Sequence, residues 1–338
     1  MTVAVQEATQ PSSIFRFKMT TSSSRSPDRG SVQRVAAQAL QTKAVTVERY
    51  NGAVFRTFRL QPSSDFFYIL RCCPSTSVRL LHHEEGRLQA EALILQALRG
   101  RSDLLVPRLI EYSNTASAIG SLYCISGPFR GAVLSDVEPR MSKQALSSTD
   151  KSLGQYVRRL TYISGSAFGA VRPNSSSSGI SSWSRCFTTM LESVLCDAED
   201  ALVSLPYDFV REQIRRHRSS LDMITQPKLF LLEMVNDKNL LVDTKYWTIS
   251  GVLDFSTATW GDPFMSDCFY TPSVAFVEGF GKLPNSTTDE RIRQYLYILY
   301  HSLLSIVRQC YRPSEDGDEL GARRNLTTAL TQLSSIGR

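Results

Sequence analysis

The sequence predicts a two-lobed α+β protein, because its hydrophobic periodicity changes part-way along a long chain. A chain of 338 residues with 42% hydrophobic content can bury a large core and is long enough for two lobes. Up to about residue 135, short segments rich in β-branched and aromatic residues are bounded by turn residues, as in strands. Beyond residue 140, apolar residues recur every three or four positions, as in helices. This order indicates a β-rich first lobe and a helical second lobe.

The elements can be assigned in chain order. Residues 1–43 are rich in Ser, Thr, Gln and Arg and poor in acids, which predicts a disordered tail; a mitochondrial transit peptide has the same composition. The first lobe, 44–135, has predicted strands at 45–50, 54–60, 66–71, 109–112 and 122–125, and a helix at 84–98. The second lobe, 136–338, has predicted helices at 142–163, 181–202, 206–223 and 289–311.

Charge and cysteine usage exclude several classes of protein. The net charge of +6 is concentrated in residues 1–60, which hold nine Lys or Arg and three acids, whereas the rest of the chain holds 29 of each. Nucleic-acid binding needs clustered positive charge on a folded surface, so it is not expected. No apolar run approaches the roughly 20 residues of a membrane span, and no secretory signal is visible. Seven scattered cysteines without C-x-x-C spacing indicate reduced thiols and a cytoplasmic protein.

Two charged residues in the first lobe are predicted to pair. Arg71 ends a strand whose two faces are both apolar, where an unpaired charge is costly. Glu91 lies on the same face of its predicted helix as Leu88 and Leu95, so it points toward the core and needs a partner. A strand cation held by a helix glutamate is the arrangement that kinases use to bind α- and β-phosphates. A purely structural ion pair is the alternative.

The second lobe contains a predicted metal site. An apolar strand ends at Asp254, and the strand before it opens at Asn239. These two side chains are expected to place two oxygen ligands at one point, as a magnesium nucleotide requires. The alternative is that Asp254 only caps a turn.

These residues resemble the aminoglycoside phosphotransferase and choline-kinase-like family, specifically its fungal phosphotransferase-enzyme type. The similarity runs from about Val45 to Arg312 and depends on the order and spacing of several short segments. The segments are 68–71, 91–98, 106–112, 153–154, 168–169, 239–243, 251–255 and 261–263. The resemblance implies a bilobal protein-kinase-like fold, ATP and magnesium as cofactors, and a small-molecule hydroxyl as acceptor, as in secondary metabolism.

The resemblance also implies roles for individual residues. Arg71 and Glu91 match the pair that binds the nucleotide phosphates, and Asn239 and Asp254 match the two metal ligands. Asp262 matches the acid that braces the catalytic loop. The first lobe is then the nucleotide side, and the second lobe carries the metal and acceptor sites.

The catalytic loop departs from the family pattern. Counting back from Asn239 places Met234 where the family has the aspartate that orients or deprotonates the acceptor hydroxyl. Methionine accepts no proton and forms only weak hydrogen bonds. Glu233 and Asp237 are the nearest acids and are candidate substitutes. The sequence therefore predicts either a weakened phosphotransferase or a catalytically inactive pseudokinase that binds nucleotide or acts as a scaffold.

Overall fold

A five-stranded antiparallel sheet forms the first lobe. The computed structural model of the protein describes residues 27–50, 54–101, 103–116, 118–171, 179–234, 238–283, 285–314 and 317–336. The strands are β1 (Val45–Tyr50), β2 (Arg56–Pro62), β3 (Phe67–Cys72), β4 (Arg108–Ser113) and β5 (Tyr123–Phe129). Their order is β1-β2-β3-β5-β4, so β3 is the central strand. The predicted β-rich lobe is confirmed, with strand ends shifted by one to four residues.

Two helices accompany this sheet, α1 (Arg29–Ala39) and α2 (Arg87–Ala97). The first differs from the predicted disordered tail over 1–43, of which residues 1–26 lie outside the described part of the chain. Asp28 caps α1 by accepting the Ser31 N–H at 2.9 Å. Val32 and Ala36 lie one turn apart and are fully buried in the core beside β1 and β2. This pair of small apolar contacts is too short a pattern to stand out in a polar segment.

The second lobe is mainly helical, as predicted. Its helices are α3 (Leu134–Val137), α4 (Lys143–Leu160), α5 (Trp183–Asp200), α6 (Tyr207–Arg216), α7 (Arg218–Asp222), α8 (Val274–Phe280), α9 (Thr288–Tyr311) and α10 (Glu319–Ser335). The helix predicted over 206–223 is divided at His217, which is the C-cap of α6 and the N-cap of α7. None of the helices in the described ranges has the length and apolar character needed to cross a bilayer.

Two small sheets in the second lobe position the loops of the site. The first contains β6 (Ala132–Val133), β9 (Leu240–Asp243) and β10 (Thr248–Val252). The second contains β7 (Gly169–Ala170), β8 (Lys228–Leu231) and β11 (Ala258–Gly261). Both sheets are antiparallel. The connection that follows β8 and the connection 253–257 between β10 and β11 each join one sheet to the other. The Leu232 N–H donates to the Thr257 carbonyl oxygen at 3.2 Å, so the described residues of the two connections lie side by side.

A close helix crossing holds the lobe together beneath these sheets. At the contact of α4 with α8, a Cβ added to Gly154 would lie 2.2 Å from the carbonyl oxygen of Phe276. A Cβ on Gly279 would lie 2.0 Å from the carbonyl oxygen of Lys151. Real Cβ atoms do not approach backbone so closely, so glycine at both positions allows the two helices to touch.

Candidate active site

Arg71 and Glu91 form a buried ion pair between β3 and α2, as the sequence predicts. The Arg71 guanidinium donates to Oε1 of Glu91 at 2.5 Å and to the Leu253 carbonyl oxygen at 2.6 Å. Arg71 is 5% exposed and Glu91 is fully buried. The pair therefore joins the central strand, the α2 helix and the loop that carries Asp254.

Burial and charge act on this pair in opposite directions. Burial raises the pKa of Glu91 to about 7, against the attraction of Arg71. Burial also disfavours the charged form of Arg71, but the carboxylates of Glu91 and Asp254 outweigh it and leave the pKa of Arg71 raised. Arg71 therefore stays positively charged at any physiological pH, as a phosphate-binding group requires.

Asn239 and Asp254 lie at the same end of the β9–β10 hairpin. The strands pair in antiparallel register with Val252 opposite Leu240, and the Leu253 N–H donates to the Asn239 carbonyl oxygen at 2.8 Å. This extra bond places Asp254 beside Asn239, as predicted. Oδ1 of Asp254 accepts the Ser256 N–H at 2.7 Å, which fixes the carboxylate at the start of its loop. The turn-capping alternative is thus realised, and the same bond orients the Asp254 carboxylate.

One cavity of about 560 Å³ brings the predicted residues together. It lies between the first-lobe sheet, residues 233, 238–239 and 253–257, and the C-terminal half of α9. Its wall includes Arg71, Asn239, Asp254 and Glu233. The volume falls within the range of small-molecule sites in proteins.

Glu233, a candidate substitute acid, is held between two arginines. Its Oε1 accepts from Arg87 at 2.8 Å and from Arg308 at 2.9 Å. Burial favours its neutral form, but Arg308 and Arg87 outweigh that effect and hold the pKa of Glu233 well below its usual range. A carboxylate with such a pKa is ionised but is a weak base. The other candidate, Asp237, lies outside the described residues.

Met234, which was expected at the position of the family's catalytic aspartate, has an apolar environment. It is 1% exposed and packs in a core that α2 of the first lobe shares with α4, α8 and strands β8 to β11 of the second. Its N–H donates to Oδ1 of Asp267 at 2.7 Å. The acid that braces the loop is therefore Asp267, not Asp262 as expected. Asp262 instead accepts from Arg293 at 3.2 Å and from Tyr297 at 2.7 Å, both on α9.

The sequence analysis missed the arginines of the cavity. Arg87, Arg308 and Arg312 line it together with Lys238. They come from the start of α2 and the end of α9, more than 200 residues apart, and no motif links them. The only local signal is that Arg308 falls in the last turn of the predicted helix 289–311 and Arg312 directly follows that helix.

Comparison with known proteins identifies the family of this chain. The sequence profile of the phosphotransferase enzyme family matches residues 46–266, which is more than half of the chain. The chain belongs to the phosphotransferase enzyme family. No curated protein sequence matches it significantly.

Solved structures place this family member in the kinase-like fold. One is a thermostable mutant of aminoglycoside phosphotransferase APH(4)-Ia in ternary complex with AMP-PNP and hygromycin B, with 15% identity, a TM-score of 0.61, and 91% of this chain and 100% of that chain covered. Another is a candidate fructosamine-3-kinase from Thermobifida fusca, with 14% identity and a TM-score of 0.62. The match covers 90% of this chain and 99% of that chain. At these identities the likeness establishes the fold alone, and it confirms the predicted bilobal α+β architecture.

Proposed function

We propose that this protein is a slow, ATP-dependent phosphotransferase that acts on a hydroxyl group of a small molecule. The observation that carries the proposal is the convergence of Arg71, Asn239 and Asp254 on one cavity. Family membership and the nucleotide-bound phosphotransferases of the same fold support it. The cavity is large enough for the reacting parts of a nucleotide and a small acceptor.

Arg71 is the proposed phosphate-binding cation. Its two bonds, to Glu91 and to the Leu253 carbonyl oxygen, fix the guanidinium at the edge of the cavity next to Asp254. A charge held in this way needs no reorganisation when phosphate binds, and such preorganised charge is the main source of catalysis in phosphoryl transfer.

Asn239 and Asp254 suit a magnesium ion bound to phosphate. They offer an amide oxygen and a carboxylate, and magnesium prefers oxygen ligands, including one or two carboxylates and substrate phosphates. The described residues hold no group of three or more His, Cys, Asp or Glu side chains able to bind a metal alone. Bound there, the metal would neutralise charge on the β- and γ-phosphates.

In the proposed reaction, the acceptor hydroxyl oxygen bonds to the γ-phosphorus while the bond from that phosphorus to the bridging oxygen breaks. ADP keeps the electron pair, and the hydroxyl proton passes to the transferred phosphoryl group and then to water. Little proton transfer is needed early in a loose transition state. With Met234 buried and Glu233 held as a weak base, the step lacks general-base help, which is typically worth about 10²–10⁴-fold.

A pseudokinase is the second candidate, and one observation favours it. Among the described residues of the loop before Asn239, Met234 is buried and the carboxylate of Glu233 is paired with Arg87 and Arg308, so neither can act as a general base. A protein of this kind would bind nucleotide or act as a scaffold, without turnover.

Nucleotide binding tests the proposal directly. Mg·ATP at 100 times its dissociation constant should stabilise the protein by about 2.7 kcal/mol, measured by thermal unfolding. Asp254→Asn should abolish the magnesium-dependent part of this effect. Asp243→Asn is the matched control, because Asp243 accepts turn N–H groups at the opposite end of the same hairpin. Absence of any stabilisation at millimolar Mg·ATP would contradict the proposal.

Turnover separates the two candidates. ADP release would be followed with a panel of hydroxyl compounds in the wild type, Met234→Asp and Met234→Asn. If only the acid is missing, Met234→Asp should gain about 10²-fold or more and Met234→Asn should not. Mg·ATP binding without ADP release in any of the three would favour the pseudokinase.

A further inference from the structure

The cavity wall also carries three arginines, which we call the arginine wall: Arg87, Arg308 and Arg312. Arg87 is the first residue of α2, Arg308 lies in the last turn of α9, and Arg312 is the C-cap residue just after that helix. Their side chains are 9%, 34% and 19% exposed, respectively. The wall is therefore built into the protein, with two of its guanidiniums still open to the cavity.

Ion pairs hold the arginine wall in place. Glu84 is almost fully buried and accepts from both terminal nitrogens of Arg312, at 2.9 and 2.5 Å. The Arg79 carbonyl oxygen accepts a further bond from Arg312 at 2.7 Å. Such a two-point contact fixes the plane of the guanidinium as well as its position. A ligand would thus meet a donor group that is already oriented.

The pairing leaves positive charge in excess. Arg87 and Arg308 share a single oxygen of Glu233, so two cations face one carboxylate. The Nε atom of Arg308 is buried and has no acceptor among the described residues. The neighbouring His83 is neutral and leaves this balance unchanged, since burial and Arg87 hold its pKa well below the usual range. A further anion would balance this cluster.

The cavity as a whole keeps this excess. Arg71 and Lys238 also line it, but Glu91 neutralises Arg71 and Glu84 neutralises Arg312, so five cations face four described acids, the other two being Glu233 and Asp254. An amine-rich acceptor would add like charge to this cluster, which is unfavourable. Carboxylate and phosphate match the fork geometry of arginine, which binds both through paired N–H donors.

We propose that the acceptor is a small acid, whose carboxylate or phosphate lies on the arginine wall while its hydroxyl faces Asp254. The part of this inference that concerns the hydroxyl rests on the proposed function. Binding of the anion to the arginine wall does not depend on it. Arg308 and Arg312 are the residues that select the acid, and Arg87 positions Glu233 between them and the metal end.

Binding of matched hydroxyl compounds tests this selection. Calorimetry on the full chain would compare glycerol 3-phosphate and glycerate with neutral glycerol and cationic choline, each with and without Mg·AMP-PNP. The two anions should bind at least tenfold more tightly than glycerol, and choline should bind no better than glycerol. Arg308→Gln and Arg312→Gln should each weaken anion binding about tenfold, the size of one charge-assisted hydrogen bond. Equal affinity for all four compounds would overturn the inference.

Control variants separate the alternatives. Arg308→Lys keeps the charge and should retain most of the preference for anions, and its melting temperature would show whether the wall still folds. Arg211→Gln removes an arginine whose ion pairs with Glu192 and Glu199 lie on the outer surface of α5, and it should change nothing. If Arg308→Gln weakens Mg·AMP-PNP as much as glycerol 3-phosphate, the arginines serve the nucleotide and the inference is wrong. If the anions bind selectively but no nucleotide does, the inference stands and only the proposed function fails.

Discussion

Removing Glu91 should strongly destabilise the protein, because Arg71 would remain buried without its counter-ion. Breaking a buried ion pair at one partner typically costs about 3–5 kcal/mol. In Glu91→Ala, Arg71 would keep its bond to the Leu253 carbonyl oxygen and its contact with the cavity, so a loss near 3 kcal/mol is expected. Replacing both residues, as in Arg71→Met/Glu91→Leu, should cost no more than about 1 kcal/mol, since apolar groups of similar size can fill a dry site.

Proton binding makes the complementary single variant depend on pH. In Arg71→Met, Glu91 loses the positive charge that lowers its pKa. Burial then acts unopposed by Arg71, and the pKa of Glu91 rises further above its value in the unfolded chain. The folded protein then binds a proton that the unfolded chain has released, so stability is present at low pH and is lost as pH rises through the folded pKa. Arg71→Met should therefore be more stable at pH 6 than at pH 8, relative to the wild type.

Urea unfolding at both pH values would measure these effects as changes in midpoint at constant m-value. Asp103→Ala is a suitable control, because it breaks an exposed pair with Arg101 and should leave the midpoint unchanged. A loss below about 1 kcal/mol in Glu91→Ala would refute the reasoning. So would a double variant as unstable as the sum of the two single variants.

Three further outcomes are expected. Burial lowers the pKa of His83, so the unfolded chain binds a proton that the folded protein excludes, and stability falls as pH drops below about 6.5. Urea unfolding should show that His83→Gln removes about 1 kcal/mol of the loss between about pH 7.5 and 5.5. Asp267→Ala leaves the Met234 N–H unpaired and should cost about 1–3 kcal/mol in the same assay, with Asp267→Asn costing less. Gly154→Ala forces α4 away from α8 and should cost about 1–3 kcal/mol by thermal unfolding, whereas exposed Ser147→Ala on the same helix should be neutral or better.

Local patterns in the sequence were sufficient to predict the two lobes and to place Arg71 near Glu91 and Asn239 near Asp254. Arg71 stood out because a charge ended an apolar strand, and Glu91 because it lay on the apolar face of a helix. Asn239 and Asp254 could be paired because adjacent strands of a hairpin return the chain to the same place. Each of these predictions depended on the periodicity of one element or on one short connection.

The sequence did not reveal contacts that depend on how distant elements pack. Helix α1 was missed because two small buried residues in a polar segment give little periodic signal. Asp262 was assigned the bracing role because the motif places it near the loop, yet α9 supplies Arg293 and Tyr297 and holds it elsewhere. Asp267 took that role because the turn after β11 brings it to the Met234 N–H.

The sequence by itself therefore determined the architecture of this protein and the residues proposed here to bind phosphate and metal. Only the tertiary structure decided the charge of the remaining cavity wall. Glu233 pairs with Arg87 from α2 and with Arg308 from α9, and Glu84 pairs with Arg312, so these long-range ion pairs set the charge of that wall. The charge of a site depends on which side chains lie close together in the folded protein. Residues far apart in the chain form no local sequence pattern, so their contacts cannot be predicted from such patterns.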